Sequence, residues 1–174
     1  MNIAGCPGLE DKMRVAIITA SDAGAAGTRE DLSGVEIRRI LEAAGYTVTE
    51  QLLLPDEREA LAQAMKAIAD DGRAELILTT GGTGLSPRDV TPEATQDVAE
   101  RMVPGIAEAM RAYSMQFTPR AMLSRAVSAI RGQTLIINLP GSPKAVRECL
   151  EYLLPTLEHG LEILTGQANN CARQ

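Results

Sequence analysis

Residues 76–84 read Leu-Ile-Leu-Thr-Thr-Gly-Gly-Thr-Gly, an uncharged apolar run that ends abruptly in glycine. Five such residues are too few for a helix, and the glycines that follow mark a turn, so 76–80 is a buried strand feeding a loop. Arg14–Ala20 (RVAIITA) upstream has the same character. Between the two, the period changes: Ile37, Ile40, Leu41 and Ala44 fall at i, i+3, i+4 and i+7, which is one face of a helix, and Gly45 stands where a helix stops. Thr47–Leu54 reads as a further strand, and Leu61, Met65 and Ile68 mark a helix running to about Asp71. Downstream, Thr91-Pro92 predicts a helix start, with the hydroxyl as cap and proline at the first helical position, and the helix runs to about Arg101. After a Pro104-Gly105 break comes a helix over Ile106–Gln116. Two short strands, Ala126–Ile130 and Thr134–Asn138, are then joined through Arg131-Gly132-Gln133. Val146, Leu150, Leu153, Leu157, Leu161 and Leu164 form the stripe of a last helix, which Pro155 is expected to kink or divide. Strand and helix alternate. This predicts an α/β fold of three layers, α/β/α, with a mostly parallel sheet and a small antiparallel addition near 126–138.

The chain has 174 residues, which predicts one domain over 13–168, with an N-terminal arm at 1–12 and a C-terminal tail at 169–174. Its net charge is −6, with three Tyr, one Phe and no Trp. That balance argues against nucleic acid, which calls for a basic face and rings to stack on bases. The longest uncharged stretches, Leu76–Pro87 and Gly132–Pro143, are interrupted by Gly and Pro and fall short of the ~20 apolar residues of a membrane span. Met1–Asp11 shows neither the basic nor the apolar region of a secretory leader, so a cytoplasmic protein is expected. Cys6, Cys149 and Cys171 are widely spaced, which excludes a cysteine zinc site, and any triad would have to use His159, the single histidine. His159 sits in the last apolar-periodic helix and reads as structural or surface-exposed.

In open α/β sheets ligands bind beyond the carboxyl ends of the strands. Three loops occupy such places: Ser21–Gly34, Gly81–Asp89 and Leu139–Lys144. Gly81-Gly82-Thr83-Gly84 allows left-handed backbone angles, so that successive N–H groups can form a nest for an anion such as phosphate. The spacing fits neither a P-loop nor the dinucleotide fingerprint. A tight strand-to-helix turn would need similar residues, but the neighbouring Arg88 and Asp89 favour binding. Pro140-Gly141-Ser142-Pro143-Lys144 offers a helix N-terminus to an anion, although any well-capped helix wants the same residues. Asp22, Asp31, Asp56 and Asp89 are the carboxylates in these loops. Asp31 reads first as a helix start, and Asp56-Glu57-Arg58-Glu59 as a capping box. Asp89 beside an anion loop weakens phosphate binding unless a cation lies between them, and Mg²⁺ shared by two carboxylates and substrate phosphates resolves that conflict. Arg120, Arg125 and Arg131 could supply positive charge to an anion site or form an ordinary solvated face.

The block Thr79–Gly84 continuing through Pro87-Arg88-Asp89-Val90-Thr91-Pro92-Glu93-Ala94-Thr95 resembles the signature of the molybdopterin adenylyltransferase family of molybdenum-cofactor biosynthesis, the MogA/MoaB-like proteins. Ser21-Asp22, Asp31-x-Ser33-Gly34, Pro55-Asp56-Glu57, Met122–Arg125 and Asn138–Pro143 also look like blocks of that family, in its order, over about residues 13–165. The resemblance implies a homotrimer that adenylylates molybdopterin with Mg-ATP, releases pyrophosphate and passes the product to a molybdenum insertase. It assigns catalysis and Mg²⁺ binding to Asp56 and Asp89. Substrate contacts fall to Ser21, Asp22, Gly81, Gly82, Thr83, Gly84, Arg88, Pro140, Gly141 and Ser142. Ala23 stands where many relatives carry a longer polar residue, and 1–12 has no counterpart. Two other readings are a non-catalytic pterin-binding or scaffold paralogue and an unrelated nucleotide-dependent enzyme.

Overall fold

The structure is a computed structural model and describes residues 13–167, so the expected arm at 1–12 and tail at 169–174 lie outside the described residues. In chain order the first half comprises β1 (Arg14–Ala20), α1 (Asp22–Ala25), α2 (Leu32–Ala43), β2 (Thr47–Leu54), α3 (Arg58–Asp70) and β3 (Leu76–Thr80). The second half comprises α4 (Thr91–Val98), β4 (Arg101–Met102), α5 (Pro104–Ser114), a 3₁₀ turn (Pro119–Leu123), β5 (Ser128–Arg131), β6 (Thr134–Leu139) and α6 (Pro143–Thr165). The strands form one sheet in the order β2-β1-β3-β6-β5-β4. β2, β1, β3 and β6 run parallel, while β5 and β4 add antiparallel at one edge. The expected fold class is the observed one.

Side chains alternate across a strand, so a sheet covered on both faces needs two cores. Val15, Ile17, Leu76, Leu78, Leu135 and Ile137 pack with the apolar stripes of α2, α5 and α6. Ala16, Ile18, Ile77 and Ile136 pack with Leu61, Met65 and Ile68 of α3 and Ala94 and Val98 of α4. Each fully buried aliphatic side chain contributes about 1.5–3 kcal/mol. The central strands therefore carry the fold and leave the loops beyond them free for a site.

Several local expectations differ from the structure. α4 stops at Val98, and Arg101–Met102 forms β4, because Glu100 N–H and Val103 N–H bond to the Ile130 and Ser128 carbonyls of β5. That pairing is tertiary and has no trace in the local sequence. Pro104 and Gly105 do not break the chain but begin α5, with Pro104 in the first turn, where its missing N–H costs nothing. The strand expected at 126–130 is shifted to 128–131. α6 runs through Pro155 undivided, held by Leu150, Leu153, Leu157 and Leu161 in the core.

Candidate active site

Strand register gathers the site. Thr19 pairs with Thr80, Thr80 with Leu139, and Ala20 with Leu54. The chain therefore leaves the sheet at Ser21, Pro55, Gly81 and Pro140 side by side. β2 lies on one flank of β1 and β3 on the other, so the order switches direction at β1, which is where open α/β sheets have a ligand crevice.

The glycine loop is built as the sequence suggests. Gly81 and Gly82 have φ of 89° and 64°. A Cβ on Gly81 would lie 2.3 Å from the Ala20 carbonyl oxygen, and one on Gly82 would lie 2.3 Å from Thr91 Oγ1 and 3.1 Å from Asp56 Oδ1. Thr91 does not cap α4 as expected. Val90 takes the cap position, and the Thr91 hydroxyl instead donates to the Gly81 carbonyl at 3.0 Å. Thr80 Oγ1 donates to Pro140 O and Ser33 Oγ to Gly141 O, each at 2.7 Å, which ties the 140–141 turn to its neighbours. Among the described residues, the amides of Gly82, Thr83 and Gly84 have no hydrogen-bond acceptor. Three free N–H groups in consecutive residues make the loop receptive to an anion.

The acidic residues are arranged unequally. Asp56 is not the cap of α3, because Glu57 holds that position without a side-chain bond. Asp56 and Asp22 instead exchange hydrogen bonds: Asp22 N–H donates to Asp56 Oδ2 at 2.9 Å, and Asp56 N–H to Asp22 Oδ1 at 3.0 Å. Arg88 reaches back from the glycine loop and grips Asp22 with Nε and Nη2, both at 2.9 Å. Arg88 and the Asp56 amide hold the Asp22 carboxyl below the usual carboxylate range, against some burial. Burial pushes Asp56 up; the Asp22 amide and Arg88 oppose this, and the charges of Asp22 and Asp89 add to it. Asp89 accepts the Ser86 N–H at 2.8 Å. Neither Asp56 nor Asp89 has an ion-pair partner among the described residues.

Asp56 and Asp89 line one cavity of about 380 Å³ together with Ser21, Gly81, Gly82, Gly141 and Ser142. Ser142 also caps α6, accepting the Ala145 N–H at 3.1 Å. Thr83, Gly84 and Pro140 line a second cavity of about 290 Å³, walled by Met110, Ser114, Leu123 and Cys149. The glycine loop is thus a partition between two spaces. Asp22 and Arg88 line neither space but brace the acidic side of the first. Asp31, read in the sequence as a helix start, caps α2 through Gly34 N–H and also lines the first cavity. Lys144 is 85% exposed and among the described residues pairs only with Glu148 of its own helix. His159 is on the surface of α6 beside Glu162 and lines neither cavity. Of the three arginines singled out, Arg131 pairs with Asp70 and Arg120 lines the second cavity. Arg125 binds the back of the glycine loop, a role the sequence does not announce.

Residues 16–159 match the family described as a probable molybdopterin binding domain. The chain belongs to that family. Within the molybdopterin-binding family it is 39% identical over 156 residues to the molybdopterin adenylyltransferase of Helicobacter pylori, covering 88% of this chain and 89% of that one. It is 43% identical over 141 residues to the Escherichia coli molybdopterin adenylyltransferase, covering 80% and 72%. Among solved structures, the molybdopterin biosynthesis enzyme MoaB of Thermus thermophilus superimposes with a TM-score of 0.84 at 49% identity, covering 88% of this chain and 97% of that one. The tungsten cofactor synthesizing protein MoaB of Pyrococcus furiosus does so at 0.80 and 31%, covering 90% and 99%.

Proposed function

We propose that this protein is a molybdopterin adenylyltransferase of molybdenum-cofactor biosynthesis, joining molybdopterin to AMP from ATP and releasing pyrophosphate. The observation that carries the reading is a loop of free amides whose Gly82 lines, at the sheet's switch point, the same cavity as two carboxylates without an ion-pair partner among the described residues, Asp56 and Asp89. In adenylyl transfer, an oxygen of the molybdopterin phosphate bonds to the α-phosphorus of ATP as the bond to the β-phosphate oxygen breaks. The substrate is the nucleophile, so no side chain has to be activated, and catalysis rests on positioning and charge neutralisation. The amides of 82–84 and the N-terminus of α6 bind phosphate oxygens. The second cavity, across Thr83 and Gly84, gives a second substrate room beside the same loop.

The residues fit Mg²⁺ as its ligands. Burial and like charge raise Asp56, so the site is short of positive charge. Two carboxylates lining one cavity, Asp56 and Asp89, are a donor set of the kind Mg²⁺ takes, an ion that uses one or two carboxylates and completes its shell with substrate oxygens and water. Asp56 and Asp89 would hold it, and when bound it would neutralise and align the reacting phosphates. Asp22 and Arg88 keep Asp56 in place. Met115, Phe117, Met122 and Leu123 are all exposed along one segment, a surface available for association, and the homotrimer that the family resemblance implies is part of the proposal. Hand-over to an insertase in the cytoplasm completes the proposal, and no helix among the described residues is long and apolar enough to cross a membrane.

The test mixes protein, molybdopterin and Mg-ATP and follows pyrophosphate. Release that requires all three is the expected result; tight pterin binding without release would replace the enzyme with a binding protein. Light scattering should give three times the 18.5 kDa chain mass.

A further inference from the structure

An anion loop needs its N–H groups turned toward the ligand and its carbonyls turned away, and flexible glycines enforce neither. Thr91 turns the Gly81 and Gly82 carbonyls away through its hydroxyl and its N–H, and Arg125 is placed to do the same for the next two. Its backbone N–H donates to Thr83 O at 2.9 Å and its Nε–H to Gly84 O at 2.7 Å. Nη2 donates to the Asp89 carbonyl and Nη1 to the carboxylate of Glu93 in the first turn of α4. A trans peptide is planar, with its C=O and the following N–H on opposite sides. Pinning the Thr83 carbonyl through the main chain fixes the Gly84 amide on the far side of the loop, and pinning the Gly84 carbonyl through the guanidinium fixes there the Leu85 amide, which like those of 82–84 has no acceptor among the described residues. The bond to the Asp89 carbonyl anchors the backbone that carries the second acidic residue. We propose that Arg125 is a positioning residue which presets the end of the glycine loop, at Gly84 and Leu85, and Asp89 for anion binding through its fork of hydrogen bonds, its charge being directed to Glu93 and not to the ligand.

Two further observations agree. Glu93 Oε2 is buried with no hydrogen-bond partner among the described residues, a cost consistent with Glu93 being held in place to neutralise the guanidinium. Arg125 also bonds two carbonyls and a carboxylate that converge from the loop and α4, a task for a planar fork; the point charge of lysine cannot perform it.

The inference rests on the anion-binding reading of the loop, and the experiment separates the two. Wild type, Arg125→Lys and Arg125→Met are compared for thermal melting, for binding of inorganic pyrophosphate in the presence of Mg²⁺ by calorimetry, and for kcat and KM in pyrophosphate release below the melting range. A positioning role predicts that both variants lose about tenfold or more in pyrophosphate affinity and in kcat, and by factors within threefold of each other, because lysine keeps the charge but not the geometry. Lysine behaving as wild type would show that charge matters, and both variants behaving as wild type apart from lowered melting would show a role in folding alone; either result overturns the proposal. Wild type that binds pyrophosphate but does not turn over overturns adenylyl transfer and leaves Arg125 standing. Wild type that does not bind pyrophosphate overturns both.

Discussion

Replacing Gly82 by alanine tests whether the loop's geometry is specified atom by atom. At φ of 64° an L-residue pays about 1–2 kcal/mol for the left-handed conformation. The new methyl would stand 2.3 Å from Thr91 Oγ1, closer than any real contact, so the hydroxyl must leave the Gly81 carbonyl it bonds at 3.0 Å. Stranding that group costs about a further 1–3 kcal/mol. The sum, about 2–5 kcal/mol, corresponds to a fall of roughly 4–20 °C in melting temperature for a chain of this size. Gly132→Ala is the control, since Gly132 has φ of 55° with nothing within 4 Å of its Cβ position and should lose only the conformational part. Circular-dichroism melts of both variants, and of Gly82→Ala combined with Thr91→Ala, measure the difference. The double variant should lose less than the sum of the two singles, because Thr91→Ala removes the atom in the way. If Gly82→Ala melts with Gly132→Ala, or the double is strictly additive, the loop is not held by Thr91 as described.

Asp89→Asn should abolish pyrophosphate release while melting as wild type, since the amide oxygen can still accept Ser86 N–H; near-normal release would remove Asp89 from the mechanism. Asp56→Asn should also be inactive, yet melt higher than wild type at neutral pH. Burial raises the Asp56 pKa in the folded state, so its ionisation penalises folding at pH above that raised value, and the penalty disappears as pH falls below the ordinary carboxylate range; the gain in melting temperature should shrink likewise. Glu36 bridges Arg39 and Arg147, whose hydrogen bonds lower its pKa to about 2. The stabilisation it provides is complete above the ordinary Glu range and lost as pH falls through about 2. Glu36→Gln should therefore lower the melting temperature at pH 7 by the small amount typical of exposed pairs, with the two proteins converging in strong acid.

The strands and long helices were legible because one face or both are apolar at a fixed period: Leu76–Thr80 and the stripe from Val146 to Leu161 allow no other packing. β4 was not, since two exposed residues, Arg101 and Met102, become a strand only through the carbonyls of β5. Asp56 shows the same limit inside the site. Its neighbours spell a capping box, but the amide it accepts belongs to Asp22, 34 positions away, and only the adjacency of β1 and β2 brings the two together. Arg125 is the extreme case. An arginine that binds backbone carbonyls leaves no pattern in the chain, because carbonyls are the same at every residue.

The placement of charge explains why the site is acidic although its proposed ligands are anions. Arg88, beside the acidic pair, is occupied by Asp22, and the Arg125 guanidinium is occupied by Glu93 and two carbonyls. Neither offers a free cation to a phosphate. Arg29, exposed at the lining of the first cavity, has no ion-pair partner among the described residues, so attraction comes from it, from amide dipoles and from a divalent ion brought with the nucleotide, and the uncompensated Asp56 and Asp89 give that ion somewhere to sit. With two carboxylates in the same cavity, such a site binds phosphates less tightly when they arrive without a metal. Inorganic pyrophosphate should accordingly bind more tightly with Mg²⁺ than without it, and Asp56→Asn should erase the difference by removing one ligand while leaving the loop amides intact. Metal-independent binding of equal strength would place the anion on the amides and Arg29 and leave the two carboxylates without the role assigned to them.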